Sequence, residues 1–105
     1  LLCKLFIMEI PKTFSIAGRK FNVEFVDILN DGNDYGSFND LTGTIKIANK
    51  IKFGDELEIV PKDVIINTFW HELFHVFSYY YNNETSETLA QVFANFMAEY
   101  NQSKA

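Results

Sequence analysis

The feature that most constrains this chain is an almost uninterrupted apolar stretch, Val64 to Tyr81, with His71-Glu72-Leu73-Phe74-His75 near its middle. The stretch is long enough to span a bilayer, but Asn67, His71, Glu72 and His75 would be costly in lipid. It therefore reads as a core helix of a folded domain, apolar on most sides. Pro61-Lys62-Asp63 opens it, since proline is tolerated at a helix start and Asp63 is favourable at the positive end. The expected span is about 62–81.

On such a helix, residues four apart share a face, so His71 and His75 can present two imidazoles to one point. Glu72 lies about 100° around the axis, within reach of a water at that point but poorly placed as a ligand. An unpaired carboxylate inside so apolar a run would be expensive, which favours a chemical role for it. H-E-x-x-H is the layout of a zinc hydrolase, with two neutral nitrogen ligands and a carboxylate to accept a proton from water. The alternative is a pair of hydrogen-bonded histidines in an aromatic core.

The preceding sequence has strand periodicity. Thr13 to Ala17 is a short extended run, and Phe21 to Asp27 alternates apolar and polar residues, with Gly18 suggesting a hairpin between them. Asn30 to Ser37 is dense in turn formers and reads as a loop. It lacks the twelfth-position Glu and flanking helices of a calcium-binding EF-hand. Thr44 to Ala48 alternates again, with Ile45 and Ile47 on one face and Lys46 outward, as edge strands use lysine. Residues 50–60 read as irregular. After Tyr81, Asn82-Asn83 stops the helix and can cap a second one over about 84–101, with Glu84 and Glu87 in its first turn. Leu89, Val92, Phe93, Phe96, Met97 and Tyr100 give that helix its apolar repeat. About three antiparallel strands followed by two helices define a small α+β domain. It is expected over residues 8–105, with 1–7 as an N-terminal extension ahead of Met8.

At 105 residues the chain suits one domain with a modest core. Its net charge of −5 and scattered cations argue against nucleic acid or an anionic membrane as partner. Cys3 is the only cysteine, so no internal disulfide forms, and with no signal sequence in view a cytoplasmic setting is expected.

A catalytic zinc takes three protein ligands. The chain has two histidines, both in the motif, so the third ligand is a carboxylate or, less readily, Cys3. Glu87 is the first candidate and Glu84 the second. Glu87 and Gln91 share a helix face, so Glu87 could bind the metal while the Gln91 carbonyl steadies an imidazole N–H. Tyr79-Tyr80-Tyr81 could supply an oxyanion-stabilising hydroxyl, although consecutive tyrosines cannot all face one site.

Ser37 to Ala48, then Thr68-Phe69-Trp70-His71-Glu72-Leu73-Phe74-His75, then Glu87-x-x-Ala90-Gln91-x-Phe93-Ala94, resembles the minimal gluzincin metallopeptidases. The nearest likeness is to the ImmA/IrrE-like group of phages and mobile elements, over roughly residues 35–100. The resemblance implies a zincin-like fold, zinc held by His71, His75 and Glu87, and Glu72 as general base in peptide-bond hydrolysis. It also implies a protein or peptide substrate lying along strand 44–48 by β-augmentation. The chain differs from the group in having Gln91 where Asn or Asp is usual, and no histidine after the third ligand, where Tyr100 is the only tyrosine. A zinc-binding interaction module with weak or absent catalysis is the alternative.

Overall fold

The computed structural model describes residues 10–16, 18–81 and 86–103. The expected N-terminal extension, Cys3, the Asn82-Asn83 stop and Glu84 lie outside the described residues. The element order is β1 (Thr13–Ile16), β2 (Arg19–Val26), β3 (Gly36–Asn39), β4 (Thr44–Ala48), β5 (Lys50–Phe53), β6 (Glu56–Ile59), α1 (Lys62–Tyr81) and α2 (Glu87–Ser103). This is the expected α+β arrangement, with strands first and two helices after them.

The strands form a four-stranded sheet in the order β1-β2-β4-β3 and a separate β5-β6 hairpin. β1 and β2 pair antiparallel around Gly18, whose φ of +80 the turn requires. β2 and β4 run parallel, and β3 returns antiparallel on β4. The sheet is therefore mixed rather than antiparallel throughout. The β3–β4 turn is set by Asn39, whose Oδ1 accepts from the backbone N–H of Leu41 and Thr42 at 3.0 and 3.3 Å.

Two expectations are corrected here. Strand 44–48 is interior, bonded on one side to β2 and on the other to β3, so it has no free edge to offer a peptide, and Lys46 is an outward residue rather than an edge guard. The edge on that side is β3, which the turn-rich composition of residues 30–37 concealed. Residues 50–60 are a hairpin, turned at Gly54 with a φ of +62, and not irregular. Both segments are held by partner strands more than by their own propensity.

One face of the sheet carries Phe21, Val23, Ile45 and Ile47, which pack against Phe69 and Val76 of α1 to form the core. Phe14 stacks on Phe21 at 5.2 Å, and Phe38 of β3 lies 6.2 Å from the same ring. The opposite side of α1 receives α2 through Phe93, which meets Trp70 at 6.1 Å and Phe74 at 5.3 Å. Ala90 and Ala94 are fully buried, and their small side chains let the two helices approach closely.

The apolar repeat of α2 divides into two stripes. Phe93 and Met97 turn inward with the alanines, whereas Leu89, Val92, Phe96 and Tyr100 are exposed, Phe96 by 64%. The helix begins at Glu87, with the hydroxyl of Ser86 accepting from the N–H of Leu89 at 3.1 Å. Ser86 is thus the N-cap. Among the described residues, no helix is long and apolar enough to cross a membrane.

α1 seats against β3 at Gly36. A Cβ there would lie 2.5 Å from Thr68 Cγ2 and 3.2 Å from Glu72 Cγ, so the glycine is required by close approach. Gly36→Ala is expected to lower unfolding free energy by about 1–3 kcal/mol in urea denaturation. Adding Thr68→Ser, which removes the clashing methyl, should restore part of the loss. An unchanged midpoint for Gly36→Ala would contradict this packing.

Candidate metal centre

The two helices meet along a polar seam. On α1, Asn67, His71 and His75 are spaced four apart, and on α2, Glu87, Gln91 and Asn95 are too. The helices run in opposite directions, so Glu87 faces both histidines while Asn95 faces Asn67.

The expected ligands come together. His71 Nε2 lies 2.8 Å and His75 Nε2 3.3 Å from the same oxygen of Glu87, and the other Glu87 oxygen is 3.2 Å from His75 Nε2. The imidazole rings are 5.0 Å apart and inclined at 65°. One ligand atom from each residue lies within 4.8 Å of the others, a cluster that could hold a metal ion. The chemistry of the donor set fits one. A carboxylate oxygen only accepts, so each ring nitrogen that faces it either carries a proton or shares a metal ion with it. The imidazoles are largely buried and Glu87 is mostly exposed, so the centre opens to solvent beside Glu87.

Gln91 does what its spacing from Glu87 suggested. Its Oε1 lies 2.9 Å from His71 Nδ1 and, being an acceptor, requires a proton on that nitrogen. With that proton on Nδ1, a metal ion could take the Nε2 lone pair in place of a proton shared with Glu87. Hydrogen bonding from His71 also acts on Glu87. Burial pushes the Glu87 carboxyl up, but hydrogen bonds and charge from His71 and His75 outweigh it and hold the group below the usual carboxylate range.

Glu72 is only 7% exposed, beneath the β3 edge. Burial raises its pKa from 4.5 to about 7; His71 lowers it, and Glu87 and Asp34 raise it further. It lines the same cleft of about 1040 Å³ as His71, His75, Glu87 and Asp34.

Of the three consecutive tyrosines offered as a hydroxyl source, Tyr79, one turn beyond His75, lines the cleft, whereas Tyr100 is exposed on the outer stripe of α2. Sequence reasoning missed other residues around this centre. Asn67 and Asn95 join the seam through Gln91. Their signal was the same four-residue step that carried the ligands. The loop residue Asp34 had no such signal, because the β2–β3 connection that brings it to the cleft has no periodicity. No family model, no curated protein and no solved structure matches this chain.

The raised pKa of Glu72 makes a signed prediction for the metal-free protein. Below pH 4.5 the carboxyl is protonated in both folded and unfolded chains, and its contribution to stability is whole. Between pH 4.5 and about 7 the unfolded chain ionises first, so stability falls as pH rises. Glu72→Gln removes this loss. Its stability advantage over the wild type should grow across that window by up to about 3 kcal/mol, read from urea midpoints at several pH values. A difference independent of pH would contradict the raised pKa.

Proposed function

We propose that this chain is a zinc-dependent metallopeptidase of the gluzincin type, akin to the ImmA/IrrE-like group, hydrolysing a peptide bond in a specific protein partner in the cytoplasm. The observation that carries the reading is the convergence of His71, His75 and Glu87 on one point in a cleft shared with a buried carboxyl tuned to about 7. Two imidazoles and one carboxylate suit zinc. A bound zinc would lower the pKa of water and polarise a carbonyl.

The chain's own residues supply the rest. Glu72 accepts the proton of the attacking water and returns it to the leaving amine. Burial beneath β3 raises its affinity for a proton above that of an exposed carboxylate. Gln91 orients His71, and the buried face of α1 keeps the base away from bulk water. The proposed substrate lies extended along β3, whose outer edge has no strand partner among the described residues and which packs directly over Glu72. Restriction to a particular partner is expected because an unrestrained cytoplasmic protease would be harmful.

A zinc-binding module without efficient hydrolysis is the second reading. It is favoured by Tyr100, which stands exposed outside the cleft rather than over the centre.

The test is cleavage of a diverse peptide library by the zinc-loaded protein, read by mass spectrometry. Cleavage should stop with chelator, return with zinc, and fall at least about 100-fold in Glu72→Gln while metal content is retained. Cleavage indifferent to Glu72→Gln would refute the mechanism. Zinc bound with no cleavage of any peptide would favour the interaction module.

A further inference from the structure

The polar seam between α1 and α2 continues beyond the residues that would touch a metal. The amide nitrogen of Gln91 donates to Asn67 Oδ1 at 2.9 Å and to Asn95 Oδ1 at 3.0 Å. Asn67 Nδ2 donates in turn to Asn95 Oδ1 at 3.0 Å. Asn95 Oδ1 therefore accepts twice, and both protons of the Gln91 amide are used.

This closed triangle matters because a glutamine amide can turn by half a rotation with almost no change of shape. Only its neighbours decide which end faces which partner. If Gln91 turned alone, its oxygen would face two acceptor oxygens and its NH₂ would face the His71 Nδ1–H. Three attractive contacts would become three repulsive ones unless both asparagine amides turned with it. With the oxygen toward His71, the ring carries its proton on Nδ1, and Nε2 is left facing Glu87 and His75. We propose that Asn67 and Asn95 are positioning residues: they clamp the Gln91 amide so that His71 is kept in the one tautomer able to coordinate at this centre. This rests on the metal-binding reading above.

Several features of the seam favour this role over a merely structural one. Asn95 is exposed and Asn67 only half-buried, so neither fills the core. Three amides clustered on adjoining helix turns do little for helix stability, since asparagine is a poorer helix former than alanine. The helices are already held together by Phe93 against Trp70 and Phe74. What the amides share is the single hydrogen bond that Gln91 makes to His71.

The decisive experiment compares wild type, Asn95→Ala and Asn95→Asp, all without a histidine tag. Zinc affinity is measured by chelator competition, metal-free stability by thermal melting, and the His71 ring Nδ1–H by ¹⁵N-edited NMR. Asn95→Ala is neutral and favours helix, so its metal-free form should melt no lower than wild type. Its zinc affinity should nevertheless fall about tenfold, the lower end of what loss of an outer hydrogen-bond partner does to a metal site. Asn95→Asp keeps the double-acceptor oxygen and should bind close to wild type. Equal zinc affinity for wild type and Asn95→Ala would overturn the proposal. If wild type itself binds no zinc, the metal reading fails, and the ring proton decides the clamp separately. A protected Nδ1–H on His71 that is lost in Asn95→Ala sustains it, and the same signal in both proteins overturns it.

Discussion

The antiparallel seam between α1 and α2 is the constraint on which the rest of the site depends. Four-residue steps on both helices bring Asn67, His71 and His75 opposite Asn95, Gln91 and Glu87. Such a row of polar groups at a helix interface would be a liability if any were unpaired. Here each is bonded to the next, and the packing beside the row is close because Ala90 and Ala94 let Phe93 settle between Trp70 and Phe74. The apolar contact fixes the spacing of the helices, and the spacing fixes the distances among His71, His75 and Glu87.

A second dependence runs between the helix and the sheet. The absence of a side chain at Gly36 lets β3 lie against α1 at Thr68 and Glu72. That contact buries Glu72 and raises its carboxyl to about 7. Burying a carboxyl that must ionise works against stability, which makes Glu72 a candidate for a functional role. The same contact leaves β3 as a sheet edge above the carboxyl, without a strand partner on its outer side among the described residues, so one glycine links Glu72, its raised pKa and the proposed track for an extended peptide.

Much of this was legible in the sequence because helices carry their geometry in local spacing. The span of α1 follows from its apolar run and its Pro61 opening, and the approach of His71, His75, Glu87 and Gln91 to one another follows from the four-residue step. The errors fall where long-range pairing decides. Lys46 looked like the guard of an edge strand, yet the β3–β4 turn at Asn39 folds β3 across the outside and makes β4 interior. Gly36-Ser37-Phe38-Asn39 has little strand propensity, and only its partner makes it a strand. The apolar repeat of α2 was real but too wide for one face. The small residues Ala90 and Ala94 took the buried positions and left Leu89, Val92 and Phe96 outside.

The central claim is that the seam holds a metal ion, and elemental analysis of the untagged protein tests it most directly, on wild type and on Glu87→Ala. The account predicts about one zinc per chain in the wild type and its loss or sharp depletion in the variant. No zinc in the wild type after reconstitution, or full zinc in Glu87→Ala, would contradict it and return His71 and His75 to the part of hydrogen-bonded residues between two helices.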